Sequence, residues 1–147
     1  MFDFKGKTVL VTGGAQGIGK EIVKGVVNGG GHAVILDINE EGARTTAAEL
    51  GNCGAYRMDL GSPENIREVM ARVLGDFERV DVLINCGGVI SKVPFQELTD
   101  AEWERTLRIN LTGTFTTCSA IYPYFMEKKG GRIVNVSSVA GKIGGGL

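Results

Sequence analysis

The chain has 147 residues, 43% of them hydrophobic and 22% charged, a composition typical of one compact soluble domain. Sixteen basic residues nearly balance seventeen acidic ones, so the formal net charge of -1 provides neither a basic surface for nucleic acid nor a polybasic patch for a membrane. No apolar run reaches the roughly 18 residues of a membrane span, and the three cysteines form no Cys-x-x-Cys pair, which predicts a reduced, cytoplasmic protein without a metal site.

Short apolar runs alternate with segments of helical periodicity along the chain. Strands are predicted at Thr8–Val11, Ala33–Leu36, Ala55–Met58, Val82–Ile84 and Ile133–Val136. Helices are predicted between Ile18 and Val27, at Glu40–Leu50 and Pro63–Phe77, and from about Thr99 to Lys129. Ser62 and Thr99 have the residue type and the position of helix caps. Apolar strands that alternate with amphipathic helices predict an α/β fold, a doubly wound parallel sheet of about five strands in one domain over residues 1–147.

The first predicted strand is followed directly by a glycine-rich loop and then by a helix. The loop from Thr12 to Gly19 reads Thr-Gly-Gly-Ala-Gln-Gly-Ile-Gly. Glycines there allow a tight turn and let backbone N–H groups approach a pyrophosphate at the positive end of the helix dipole. The spacing departs from Gly-x-Gly-x-x-Gly, and an ordinary glycine turn is the alternative interpretation. The candidate cofactor-binding residues of this loop are Gly13, Gln16, Gly17, Ile18 and Gly19.

The second predicted strand ends at Asp37, close to the offset of roughly 20 residues at which an acidic side chain receives a ribose 2′-hydroxyl. A carboxylate there would repel the extra phosphate of NADP. Neither the loop nor the two residues after Asp37 include an arginine or lysine that would attract that phosphate. We therefore predict NAD as the cofactor in preference to NADP, with a simple strand-end cap as the alternative role of Asp37.

In this order the motifs of the chain resemble those of the short-chain dehydrogenases/reductases, and the resemblance runs from about Phe4 to the last residue. It rests on the glycine loop, Asp59-Leu60, Asn85-Cys86-Gly87-Gly88, Asn110 and Ser138. The resemblance implies a Rossmann-type fold in which Asp59 and Leu60 meet the adenine ring. It also implies that Asn85 and Gly87 belong to the family's Asn-Asn-Ala-Gly element beside the cofactor ribose. Asn110 would hold a water in a proton relay, and Ser138 would be the catalytic serine.

The chemistry of carbonyl reduction supports Ser138 and Asn110 independently of the resemblance. Hydride transfer to a carbonyl leaves an alkoxide, which needs a hydrogen-bond donor and a proton relay while the cofactor supplies the hydride. A hydroxyl at a strand end suits the first task. Taken singly, Ser138 is an ordinary turn serine and Asn110 an ordinary polar helix residue. Their occurrence together and in the right order favours the catalytic interpretation.

A tyrosine and a lysine four residues apart, Tyr124 and Lys128, match the family's Tyr-x-x-x-Lys proton-donor motif but precede Ser138. The resemblance places that motif about a dozen residues after the serine, so we interpret the match as helical spacing without catalytic meaning. Residues 139–147 contain no tyrosine. We therefore expect a fragment of a longer protein that lacks the C-terminal part of the family fold. We expect it to have no significant dehydrogenase activity alone and to expose its fifth strand as a sheet edge.

Two other functions stay open at this point. A Rossmann-like methyltransferase also has an acidic residue after its second strand, but it gives no reason for Asn85, Asn110 and Ser138 together. A non-catalytic dinucleotide-binding module would not need the absent tyrosine. For an intact enzyme, the resemblance implies an alcohol or ketone substrate and a homo-oligomer that uses the long helix. The segment from Gly88 to Phe95 is similar to those of sugar or polyol dehydrogenases and of 3-oxoacyl-carrier-protein reductases.

The remaining residues of note receive structural interpretations. His32, the single histidine, is predicted to be a turn residue before the second strand. Trp103, Phe115 and Phe125 lie at helical positions and are predicted to be packing residues and not ring-stacking contacts.

Overall fold

A computed structural model, which describes residues 2–143, contains five strands and six α-helices within that range. The strands are β1 (Thr8–Thr12), β2 (His32–Asp37), β3 (Cys53–Arg57), β4 (Val82–Asn85) and β5 (Arg132–Asn135). The helices are α1 (Gly17–Asn28), α2 (Glu40–Leu50), α3 (Pro63–Asp76), α4 (Asp100–Leu107), α5 (Thr114–Glu127) and α6 (Ala140–Ile143). A 3₁₀ turn at Phe95–Glu97 precedes α4, and a π-helical segment at Arg108–Gly113 joins α4 to α5.

The five strands form one parallel sheet in the order β3-β2-β1-β4-β5. The predicted doubly wound α/β fold is therefore confirmed. From β1 the chain builds outward to β2 and β3, then returns and builds outward on the other side through β4 and β5. The winding direction thus reverses between β1 and β4, which is where ligands of such sheets bind, outside the carboxyl ends of the strands. Thr12 at the end of β1 pairs with Asn85 at the end of β4, so the loops that follow them are neighbours.

Alternate residues of the central strands pack against helices on opposite faces of the sheet. Val9 and Val11 belong to one core with Val23 and Val26 of α1. Leu10 belongs to the other core with residues of α3 and α5. Because side chains of a strand alternate between faces, the part of a strand that is buried on both must be apolar, as Val9, Leu10 and Val11 of β1 are.

The amino ends of β1 and β4 are joined by a buried carboxylate. Asp81 accepts hydrogen bonds from the Thr8 N–H (3.1 Å), Lys7 Nζ (3.1 Å) and Arg79 Nε (2.9 Å). Burial by itself would raise the pKa of Asp81, but these hydrogen bonds, that from Thr8 first, hold the pKa below its ordinary value. Asp81 therefore connects β1 and β4 at their amino ends, opposite the end of the sheet where the cavity lies.

The helix caps are confirmed, and the long helix differs from its prediction in winding. Ser62 Oγ accepts from the Asn65 N–H (3.3 Å), and Thr99 Oγ1 accepts from the Glu102 N–H (3.2 Å). The predicted helical segment from about Thr99 to Lys129 is helical from α4 to α5, but residues 108–113 are wound as a π-helix. It ends at Glu127, since Lys129 has a positive φ of 52°.

Several local predictions were wrong. His32 is the first residue of β2, paired with Thr8, and not a turn residue. Trp103 and Phe115 are 57% and 68% exposed, so the predicted packing of these two side chains is not found within this chain, whereas Phe125 is buried. The third strand begins two residues earlier and the fifth strand one residue earlier than predicted, and each ends one residue earlier.

The predicted edge position of β5 is confirmed, with all four residues exposed. No helix within residues 2–143 is long and apolar enough to cross a membrane.

Candidate functional site

The glycine loop connects β1 to α1 and touches the loop that follows β4. Gly13 has a φ of +69°, and a Cβ there would lie 2.6 Å from the Gly87 Cα. A Cβ on Gly19 would overlap the carbonyl oxygen of Gly13. Only glycine fits either position, because backbone atoms occupy the space that a side chain would need.

The amino end of α1 is open to an anion. Gln16 stands at the cap position without a side-chain cap, and the first turn of α1 contains no acidic residue. The first N–H groups of a helix have no partner inside the helix, and they carry the positive end of its dipole. These groups can therefore bind a phosphate above the glycine loop.

The carboxylate of Asp37 is oriented by two backbone donors. The Ala15 N–H donates to Oδ2 (3.0 Å) and the Asn39 N–H donates to Oδ1 (2.9 Å). An ionised carboxylate has about four acceptor positions, so the lone pairs that remain can accept from the hydroxyl pair of a ribose. Asp37 is thus attached to the glycine loop and presented to the space above it.

Thr12 holds the loop after β4, a role that the sequence analysis missed. Its hydroxyl oxygen accepts from the N–H groups of Cys86 (3.1 Å) and Gly87 (3.0 Å). On the other side, a Cβ on Gly87 would lie 2.7 Å from Leu60 Cδ1. Burial raises the pKa of the Cys86 thiol, so this side chain is a neutral thiol at neutral pH and contributes no thiolate to the site.

These loops surround one cavity of about 490 Å³ at the carboxyl ends of the strands. Eight of the ten predicted cofactor-binding residues line it: Gly13, Gln16, Gly17, Ile18, Gly19, Asp37, Leu60 and Gly87. The cavity is also lined by Leu36, Ile38, Met58, Cys86, Gly88, Val89, Arg105, Ile109 and Val136. Its size is within the range of small-molecule and cofactor sites.

Asp59 and Asn85, the other two predicted cofactor-binding residues, do not line the cavity. Asp59 Oδ1 accepts from the Gly61 N–H (2.8 Å) and so shapes the turn after Leu60. Asn85 is 4% exposed; its Oδ1 accepts from the Thr117 hydroxyl (2.7 Å), and its Nδ2 donates to Asn135 Oδ1 (2.9 Å). The structure thus places Asn85 below the cavity, where it ties β4 to α5 and β5.

Asn110 lies in the π-helical segment and is bonded to a wall of the cavity. Its Oδ1 accepts from the Val89 N–H, and its Nδ2 donates to the Val89 carbonyl oxygen, both at 2.8 Å. The side chain therefore pairs with Val89 as a neighbouring strand would. One amide hydrogen and one lone pair remain for another partner.

Ser138 follows β5 and does not line the cavity. Val136, two residues earlier, lines the cavity and donates its N–H to the Asn85 carbonyl oxygen (2.9 Å). Ser138 itself is exposed, and its Oγ accepts from the Ala140 N–H (3.1 Å) at the start of α6. Neither catalytic candidate lines the cavity itself: Ser138 follows the cavity residue Val136 by two positions, and Asn110 is bonded to the cavity residue Val89.

Comparison with known proteins assigns the arrangement to a family. The family model described as short chain dehydrogenase matches residues 7–146. The chain belongs to this family. It is 39% identical to the D-threitol dehydrogenase of Mycolicibacterium smegmatis, over 97% of this chain and 57% of that protein. It is 30% identical to the 3-oxoacyl-[acyl-carrier-protein] reductase FabG of Escherichia coli, over 98% of this chain and 59% of that protein.

A solved structure titled "Crystal structure of gox2181" has the same fold, with a TM-score of 0.90 and 31% identity. The match covers 95% of this chain and 56% of that one. The chain thus spans little more than half the length of the curated relatives it matches. The family match confirms the resemblance drawn from the motifs.

Within this short-chain dehydrogenase segment, Tyr124 lies far from the cavity. Its hydroxyl oxygen accepts from the Val80 N–H (2.9 Å), just before the amino end of β4, whereas the cavity is at the carboxyl end. Tyr124 therefore has a structural role. The Tyr124–Lys128 pair lies at the end of the sheet that is opposite the cavity. Among residues 2–143, no three His, Cys, Asp or Glu side chains are grouped so that they could hold a metal ion.

Proposed function

We propose that residues 1–147 belong to one domain that binds NAD for an oxidoreductase acting on an alcohol or a ketone. The observation that carries this proposal is the convergence of four strand ends on one cavity. The glycine loop follows β1, Asp37 ends β2, Leu60 follows β3 and Gly87 follows β4.

The residues present fit a dinucleotide. Gly13 and Gly19 leave space that a Cβ would fill, and the amino end of α1 offers uncapped N–H groups for the pyrophosphate. Asp37 offers carboxylate oxygens for ribose hydroxyls, while Leu60 and other apolar side chains provide surfaces for rings. When bound, the nicotinamide supplies the hydride chemistry.

Asp37 supports NAD over NADP. Its carboxylate, fixed by the N–H groups of Ala15 and Asn39, would repel a phosphate on the 2′-oxygen of the ribose. We expect calorimetric titration of this chain to give an affinity for NAD about tenfold higher than for NADP, which corresponds to about 1.4 kcal/mol. The substitution Asp37→Asn keeps the shape, removes the charge and should reduce that preference. Equal affinities in the unsubstituted chain would overturn the NAD preference, and binding of S-adenosylmethionine instead of NAD would favour a methyltransferase.

For catalysis, we assign Ser138 as a hydrogen-bond donor to the substrate oxygen, and Asn110 as the residue that holds Val89 and one water of a proton relay. Ser138 is two residues after Val136, which lines the cavity, and its oxygen accepts from the Ala140 N–H, so its own proton is left for a substrate oxygen. Asn110 retains one N–H for the water after pairing with Val89.

Turnover by this chain alone is expected to be insignificant. Protonation of a substrate alkoxide needs an acid near the cavity, and Tyr124 donates no proton there because it lies at the opposite edge of the sheet. A cofactor-dependent assay with a polyol and with a 3-oxoacyl thioester tests this on the purified chain. Robust activity that Tyr124→Phe abolishes would refute it. NAD binding without turnover would agree equally with a second candidate function, a non-catalytic dinucleotide-binding module. The distance of Tyr124 from the cavity favours this second candidate.

We further propose that the intact protein is a homo-oligomer, located in the cytoplasm. Trp103, Leu107, Leu111 and Phe115 are exposed at four-residue intervals along the α4–α5 segment. A contiguous exposed apolar surface of this kind is typical of an interface. Sedimentation of the intact protein and of its Phe115→Lys variant tests this, because the charge should dissociate the oligomer.

A further inference from the structure

Arg105 is a cavity residue that none of the roles above uses. Of the described residues that line the cavity, only Asp37 and Arg105 have charged side chains. Arg105 lies on α4, and its side chain is 53% exposed. Arg105 is distant in the sequence from the glycine loop and from the residues after Asp37, where a basic residue near the cofactor would be expected.

The neighbours of α4 place Arg105 at the adenosine end of the cavity. Ile109 lies one helical turn after Arg105, on the same face. A Cβ on Gly61 would lie 3.6 Å from Ile109 Cγ1, so this face is directed at the turn after Asp59 and Leu60. The opposite loop, at Val89, is reached instead by Asn110. Arg105 therefore lies over the end of the cavity that β2 and β3 form, where Asp37 is also found.

The surroundings of Arg105 suit a flat ring better than a phosphate. Its Nη1 lies 3.4 Å from Glu102 Oε1, so part of its charge is already compensated. The side chains of Ile38, Leu60 and Ile109 line the same cavity and present apolar surface. A guanidinium is planar and stacks on aromatic faces. When its N–H groups at one edge donate to a carboxylate, the two flat faces of the guanidinium remain free for stacking.

We propose that Arg105 stacks across the adenine ring of the bound dinucleotide and closes the adenosine end of the cavity. This inference rests on the proposed function, because it needs a dinucleotide in the cavity. Arg105 then acts as a binding residue contributed by α4, in addition to the loops that follow the strands.

Calorimetric titration of the 147-residue chain with ADP-ribose tests the proposal. Arg105→Ala should weaken ADP-ribose binding about threefold to tenfold, the range expected for a cation–π contact. Arg105→Lys should restore little of this loss, since an ammonium has the charge but not the plane. Arg108→Ala is the matched control. Arg108 is an exposed arginine directly after α4 and does not line the cavity, so the ADP-ribose affinity of this variant should equal that of the unsubstituted chain.

A second ligand separates stacking from charge pairing. If Arg105 stacks on adenine, Arg105→Ala weakens ADP-ribose and 2′-phospho-ADP-ribose by the same factor. A larger loss for the 2′-phosphorylated ligand, restored by Arg105→Lys, would overturn the proposal in favour of a phosphate contact. Unchanged ADP-ribose affinity in Arg105→Ala would also overturn it. Failure of the unsubstituted chain to bind ADP-ribose would instead refute the proposed function, and the inference with it.

Discussion

Replacement of Gly13 by alanine should destabilise the fold and abolish binding at the cavity. Gly13 has a φ of +69°, a region that costs an alanine about 1–2 kcal/mol. Its new Cβ would also lie 2.6 Å from the Cα and 2.9 Å from the nitrogen of Gly87. Because both atoms are backbone, the contact is relieved only if the loops after β1 and β4 move apart. That movement would strain the hydrogen bonds that Thr12 receives from the second loop.

The magnitude follows from two separable costs. Forcing extra volume into a packed site costs about 1–3 kcal/mol, which adds to the backbone strain for a total of about 2–5 kcal/mol. Gly6 is the matched control, because it has a φ of +67° and a Cβ there would meet no atom within 4 Å. Gly6→Ala therefore bears the backbone strain alone. At about 2–4 °C per kcal/mol for a chain of this size, the thermal midpoint of Gly13→Ala should lie about 2–12 °C below that of Gly6→Ala.

Thermal denaturation followed by circular dichroism measures the two midpoints, and calorimetric titration with ADP-ribose measures the site. We expect Gly6→Ala to bind ADP-ribose as the unsubstituted chain does, and Gly13→Ala to show no measurable binding. Equal midpoints for the two variants, with ADP-ribose binding retained in Gly13→Ala, would refute the reasoning that the two loops are in backbone contact.

Three further predictions concern hydrogen bonds at the carboxyl and the amino ends of the strands. Thr12→Val leaves the two N–H groups after β4 without their acceptor; we expect a loss of about 1–3 kcal/mol in the free energy of unfolding and weaker ADP-ribose binding, while Thr12→Ser preserves both. Burial opposes ionisation of Asp81, but the hydrogen bond from Thr8 and two basic side chains lower its pKa below 3.8. Its stabilising contribution is therefore present above pH 3.8 and is lost as the pH falls through the lowered pKa of the folded state. Urea unfolding at pH 7 and in this acid range should show a smaller pH dependence for Asp81→Asn, and an identical dependence would contradict the assignment. Tyr124→Phe removes the acceptor of the Val80 N–H and should cost about 1 kcal/mol without changing ADP-ribose affinity; a large loss of affinity would show that Tyr124 serves the cavity after all.

The fold was predictable because its central strands, β1 and β2, are buried on both faces. Val9, Leu10 and Val11 have no exposed surface, and a continuous apolar run between glycines and polar residues is the signature of such a strand. The winding of the helix at residues 108–113 was not predictable. A π-helical turn changes the period by less than one residue per turn, which a six-residue window cannot resolve.

The exposure of Trp103 and Phe115 was missed for a different reason. Helical periodicity shows that a helix has an apolar face, but it does not say which apolar residues meet the sheet and which meet solvent. In α5, Ile121 and Phe125 face the sheet, and these were sufficient to satisfy the pattern. The apolar residues on the outer surface then had no distinguishing signal.

The part of the site near the glycine loop could be predicted, because its residues follow strands at short, fixed offsets. Thr12 and Arg105 could not be predicted in the same way. Thr12 acts on N–H groups 74 and 75 residues later in the chain, so its role depends on the register between β1 and β4. Arg105 lies on α4, well after the end of β4 in the chain, so its place in the cavity wall depends on how α4 packs in the folded chain. No local pattern around either residue indicates these contacts.

The two halves of the site are held with different strength, and this difference bears on function. On the cofactor side, Thr12 accepts two backbone hydrogen bonds from the loop after β4, and Asp37 accepts two more from the N–H groups of Ala15 and Asn39, so these residues are held in place by the fold itself. On the catalytic side, Ser138 is exposed and its hydroxyl is engaged only by the Ala140 N–H of a four-residue helix. A preformed site loses little entropy when a ligand binds, whereas a catalytic serine needs a fixed position to stabilise a developing charge. This difference is the physical reason to expect that the chain binds a dinucleotide without turning over a substrate.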